Sequence, residues 1–135
     1  MRKIVTLFAA ATFLASGAAA AAPGSGAEAK LAKALEGRVA GEPVRCLSLH
    51  QIRSTRIIDG TAILYDAGRT VYVNKPASGA SSLRDGKVMV TKTGTSQLCS
   101  IDTVKLYDTG SRMQTGWVGL GEFVPYTKVK DSPAS

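Results

Sequence analysis

His50 is the only histidine among 135 residues, so it is the first side chain to test for proton-transfer chemistry. Ser48 stands two positions before it, and Asp59, Asp66, Asp102 and Asp108 are carboxylates able to orient an imidazole. A Ser–His–Asp arrangement is recognised by geometry rather than by order in the chain. No nucleophile elbow of G-x-S-x-G form is present, however. One histidine among several serines and aspartates is expected by chance, so a surface or turn histidine is the preferred reading. A small hydrolase that pairs His50 with a carboxylate is the alternative. Lys92-Thr93-Gly94 matches the K-T-G element of penicillin-recognising enzymes, but their S-x-x-K and S-D-N elements are missing. A strand end running into a glycine turn explains it better. Gly116, Gly119 and Gly121 do not have the spacing of a dinucleotide-binding loop and read as strand punctuation.

Cys46 and Cys99 are the only cysteines. A redox pair wants the two close together, as in C-x-x-C. A structural zinc site usually needs four Cys or His ligands, and His50 is the only histidine to contribute. Neither a metal nor another cofactor is therefore expected. An even cysteine count in an exported chain favours a disulfide, here Cys46 with Cys99.

Export is read from the N-terminus. Arg2 and Lys3 precede a short apolar run, residues 4–14, and small residues follow from 15 to 22. Charge, apolar run and small residues in that order mark a secretory signal peptide, and the run falls short of the roughly 20 residues of a membrane span. No transmembrane segment is expected in the mature chain. Removing residues 1–20 takes away two of the seventeen basic residues and leaves a net charge of about +5. The remaining basic residues are scattered singly, which reads as a solvated surface, and export argues against nucleic acid as the partner. In an exported protein the expected partner is an envelope protein or an anionic envelope polymer.

Tyr65, Tyr72, Tyr107 and Tyr126 all fall on predicted strands. On one sheet face, with Arg69 nearby, they would suit a glycan or a strand-like partner. Cross-strand pairing that stabilises the sheet is the plainer reading and the preferred one.

These residues need a scaffold. Residues 27–36 are good helix formers, and Gly37 sits where a C-terminal stop belongs. From Val44 onward the pattern alternates. Strands are predicted over 55–58, 61–65, 70–74, 87–92, 103–107 and 117–126, the last bent at Gly119 and Gly121. Asp59-Gly60 predicts a tight hairpin with both central residues at positive φ. Gly68 takes the left-handed position of the next turn, and Asp85-Gly86 turns the chain again. Val88 and Val90 point one way, with Lys87, Met89 and Thr91 the other. Val104 and Leu106 point inward, with Lys105 and Tyr107 outward. The fold class is mainly β: a small antiparallel β-sandwich or barrel of about six strands with one short N-terminal helix. The domain reading is 1–20 signal peptide, 21–42 linker with the short helix, 43–130 disulfide-closed β domain, and 131–135 flexible tail.

Several short elements recur in a recognisable order: Arg45-Cys46, Gln51-Ile52-Arg53, Ile58-Asp59 before Ala62-Ile63-Leu64, Val71-Tyr72-Val73-Asn74, Leu98-Cys99 with Asp102, and Gly121 to Tyr126. Over residues 44–126 the chain resembles a family of small exported bacterial, periplasmic proteins of unknown function with a C…Y-x-N…L-C-x-x-D pattern. Members of that family often carry two further cysteines, in places held here by the 77–82 loop and the neighbourhood of Trp117. The resemblance thus implies that one bridge has been lost as a unit, leaving Cys46 and Cys99 to each other. It supplies no activity. Asp102 is read as a turn cap rather than a ligand. The expected function is a non-enzymatic binding or interaction module of the cell envelope. The alternatives are the His50 hydrolase and an inhibitor that offers loop 76–84 to an envelope-directed enzyme.

Overall fold

The run Ala62-Ile63-Leu64-Tyr65 is buried at every position, which a strand reaches only when both of its faces are covered. Ala62 and Leu64 pack with Ile58, Val71, Val73 and the helical Leu31, whereas Ile63 and Tyr65 pack with Ile57, Val104, Leu106, Val118 and Phe123. That alternation places the strand in the middle of a three-layer domain. The computed structural model describes residues 25–130. The expected leader 1–20, the linker positions 21–24 and the tail 131–135 lie outside the described residues.

In chain order the elements are α1 (Ser25–Ala34), β1 (Arg38–Ala40), β2 (Cys46–Ser48), β3 (Ser54–Ile58), β4 (Ala62–Asp66) and β5 (Thr70–Asn74). They continue with β6 (Val88–Thr91), β7 (Gln97–Cys99), β8 (Thr103–Tyr107), β9 (Gln114–Gly119) and β10 (Phe123–Lys128). All pairing is antiparallel. The five-stranded sheet runs β1-β10-β5-β4-β3, the three-stranded sheet runs β6-β8-β9, and β2 with β7 forms a two-stranded ribbon. The fold is mainly β with one helix, as expected, and it is not a closed barrel. Helix α1 covers one face of the five-stranded sheet and the smaller sheet and ribbon cover the other. A ten-residue helix is marginal alone. Burial of Leu31, worth about 2 kcal/mol, ties it to the sheet.

Three expectations are corrected. The strand predicted over 117–126 is two strands in different sheets, β9 and β10. Between them the chain changes layer, and the turn is held by Asn74, the one fully buried amide or charged side chain among the described residues. Its Nδ2 donates to the Gly121 carbonyl at 2.7 Å, while the Gly121 N–H donates to its Oδ1 at 3.0 Å. The side-chain amide thus stands in for a paired backbone where no strand is available. At the β3–β4 turn only Gly60 has positive φ, at 61°, and the Thr61 N–H closes the turn on the Ile58 carbonyl at 3.0 Å. Asp59 keeps a negative φ because the loop has three residues, 59–61, and needs only one left-handed position; its Oδ1 accepts the Asp85 N–H at 2.6 Å. The third correction concerns strand number. β1, β2 and β7 have three residues each, too few to show a period, and their long-range partners define them.

Lys87 and Asp108 form the one ion pair among the described residues, 2.8 Å long, tying the entry of β6 to the exit of β8. The Lys87 ammonium, then the Ser111 N–H and hydroxyl, hold the Asp108 carboxyl well below the usual carboxylate range. A depressed folded pKa gives stability that is fully present above the unfolded value of about 4 and is lost as pH falls through the folded one. Acid unfolding followed by circular dichroism should therefore be less steep in Asp108→Asn below about pH 4 than in the parent. Parallel acid limbs would show that the pair is neutral for stability.

Candidate functional site

The outward face of the three-stranded sheet carries three exposed apolar side chains, Val88, Val90 and Trp117. Val104, Leu106 and Val118 turn into the core, so their neighbours must turn to solvent. Register places Val90, Lys105 and Trp117 side by side across β6, β8 and β9, with Val88 beside Tyr107 in a second row. Trp117 is 52% exposed and Met113, just before β9, is 67% exposed. The indole leans along its own strand over Gly119, which flattens the surface. At one end of the face Val88, Val90, Tyr107, Asp108, Thr109 and Arg112 line a shallow cleft of about 470 Å³. The single carboxylate there, Asp108, is already paired with Lys87, so the free charges on this face are the cations Lys105 and Arg112.

The four tyrosines do not share a face. Tyr65 is buried, edge-to-face with Phe123 at a ring separation of 5.6 Å, and burial pushes its phenol above the ordinary range. Tyr72 is its direct cross-strand neighbour and packs against the same core. Tyr126 lies on the opposite, helix-covered face, and only Tyr107 reaches the three-stranded sheet's cleft. Alternation along the strands separates them: residues 65 and 72 are paired positions, whereas 126 pairs with Val71. Arg69 sits in the exposed β4–β5 turn, where its carbonyl accepts from the Arg38 guanidinium at 2.7 Å.

His50 lies exposed in the 3-10 turn Leu49–Gln51. It shares a shallow depression with Gln51, Arg53, Ala67, Thr70 and Tyr72, and no carboxylate lines it. The groups that would orient an imidazole are elsewhere. Asp59 and Asp66 accept backbone N–H groups in turns, and Asp108 pairs with Lys87. Asp102 Oδ2 accepts the Cys99 N–H at 2.7 Å and so caps the turn after β7. Among the described residues no group of three or more His, Cys, Asp or Glu is placed to hold a metal ion.

Cys46 and Cys99 are joined and directly opposite in the β2–β7 ribbon, with Cα atoms 4.0 Å apart. Hydrogen bonds from Ser100 N–H to the Arg45 carbonyl and from Leu49 N–H to the Ser96 carbonyl flank them, so the pair occupies a position without ladder bonds of its own. Opposed side chains come closest there. Cys46, Cys99, Asn74 and Asp102, the residues of the C…Y-x-N…L-C-x-x-D pattern, all serve the scaffold.

Two features escaped sequence reading. The opposite directions of Val88/Val90 and Met89/Thr91 were legible, but not that the valines are the ones facing water. The signal was Lys105 between Val104 and Leu106: its register partners Val90 and Trp117 had to be outside with it. Nothing in Gln51-Ile52-Arg53 shows that the 3-10 turn folds beside Thr70 and Tyr72, so the sequence does not mark Arg53 as a site residue. No protein-family model, curated protein or solved structure matches the chain.

Proposed function

We propose that this chain is an exported, non-catalytic module that docks a protein partner of the cell envelope through the outward face of β6, β8 and β9. The observation that carries the reading is the exposed Val88, Val90 and Trp117 with half-buried Tyr107, gathered around Lys105 with Arg112 at one end and exposed Met113 just before β9. Aromatic residues, methionine and arginine are enriched in the cores of protein interfaces, and a half-exposed tryptophan is a typical anchor. The two unpaired cations ask for a partner with complementary carboxylates, one of them meeting Lys105 between Val90 and Trp117. The leader-like N-terminus, the disulfide and the resemblance to exported proteins support the compartment.

The test is a photo-reactive residue at Val90 and, as control, at Ala40 on the far edge of the five-stranded sheet. The Val90 probe should give a discrete adduct in envelope preparations that Trp117→Ser abolishes at unchanged melting temperature. Occupancy should also shift the emission of Trp117, the only tryptophan in the chain. Equal adducts from both probes would overturn the docking face. His50→Ala should leave complementation of a deletion strain intact, and loss of complementation at normal protein level would favour the hydrolase instead.

A further inference from the structure

We infer that the depression between the 3-10 turn Leu49–Gln51 and the β4–β5 turn is a binding site for an oxyanion, the carboxylate or phosphate of a polar ligand. It shares no residue with the cleft of the apolar docking face and is independent of that reading. The depression measures about 390 Å³ and is lined by His50, Gln51, Arg53, Ala67, Thr70 and Tyr72. Every side chain there except Ala67 can donate a hydrogen bond, through guanidinium, imidazole, amide or hydroxyl. Four other clefts on the described surface each include at least one aspartate, Asp59, Asp66, Asp85 or Asp108. This one has cationic and neutral donors and no carboxylate.

Two features make the site more than a gathering of surface groups. Arg53 has no ion-pair partner among the described residues, yet its guanidinium is positioned. Its Cζ, Nη1 and Nη2 lie 3.3, 3.4 and 3.5 Å from the point where a Cβ on Gly68 would stand, so the planar group rests against the turn. Gly68 is at φ 90°, a conformation that L side chains rarely adopt, and the absent side chain leaves that space to the guanidinium. A planar fork held in place loses little freedom when it takes an oxyanion in bidentate fashion. Charge separation is the second feature. Asp66, next to Ala67 in the chain, does not line the depression. Its Oδ1 accepts the Gly68 N–H at 2.7 Å, and its side chain lines the cleft under α1 with Arg38 and Arg56. The same turn carries Arg69, and the Arg38 guanidinium is drawn to it through the Arg69 carbonyl, so cations collect at this end of the five-stranded sheet.

Amide chemical-shift titration of the isotope-labelled full mature chain tests the site, with glucuronate, glucose 1-phosphate and neutral glucose as probes. The expected result is saturable shifts confined to residues 50–53 and 67–72 with at least one anionic probe and not with glucose. Arg53→Gln should weaken binding at least tenfold at an unchanged melting temperature, and Arg53→Lys should recover part of it. Response to glucuronate alone, to the phosphate alone, or to both identifies the oxyanion and supports the site. Equal response to glucose, shifts elsewhere, or full binding by Arg53→Gln overturns it. Trp117→Ser should bind the anion like the parent, so failure of the docking face and failure of this site are read separately.

Discussion

Replacing Cys46 and Cys99 together by serine is expected to lower the unfolding free energy by about 4 kcal/mol, the chain-entropy value for a separation of 53 residues. A domain of this size has about 5–15 kcal/mol in total, so the loss is a large share of it. The location of the bond adds to the expectation. The ribbon it closes has only three residue pairs, too few to persist alone, yet it brings Leu47 and Leu98 into the main core. Once the cross-link is gone, those two side chains depend on ladder bonds at a ribbon that can fray. Urea denaturation of the oxidised parent and the double-serine variant measures the difference. Superimposable curves would mean that the ribbon is held by packing alone.

Asn74→Leu should be nearly as damaging, at about 2–6 kcal/mol, because it strands both the N–H and the carbonyl of Gly121. Leucine branches at the same carbon but is bulkier, so no cavity forms and overpacking adds to the loss. Asn74→Asp separates the two bonds. Its carboxylate keeps the acceptor for the Gly121 N–H but faces the Gly121 carbonyl without a proton to give. Burial disfavours the charged form, so the folded pKa of this aspartate lies above its unfolded value. The deficit of Asn74→Asp relative to the parent is therefore largest at neutral pH and shrinks as the solution is acidified. Thermal melts at several pH values give the answer, and a deficit independent of pH would contradict the pairing described.

The contrast between what the residues announced and what they concealed follows from the range of the forces involved. β4, β5 and β8 were legible because their side-chain direction alternates over five residues or their burial is continuous. The turns at Gly68 and Gly86 were legible because positive φ is a local demand. The layer change at residues 120–122 was not, because its reason, Asn74, lies 47 positions away. The tyrosines were correctly placed on strands but not on a common face, since which side of a strand is inward depends on the layer it joins. For the same reason the docking face was hidden: Val88 and Val90 look like core residues until Val104 and Leu106 are seen to occupy the core. His50 and Tyr72 stand far apart in the sequence, and only the fold brings them together beside Arg53.

The ring closed by Cys46 and Cys99 contains β3, β4, β5 and β6, the centre and one edge of the five-stranded sheet together with an edge of the smaller one. A proteolytic nick inside that ring, for example after the exposed Arg84 between β5 and β6, leaves the two pieces covalently attached. Such a clipped molecule runs as one species without reductant and as two with it, and its halves cannot diffuse apart while the bridge stands. Wherever a protease reaches that loop, the bond acts as a tether that holds the two pieces of the domain together across a break in its own backbone.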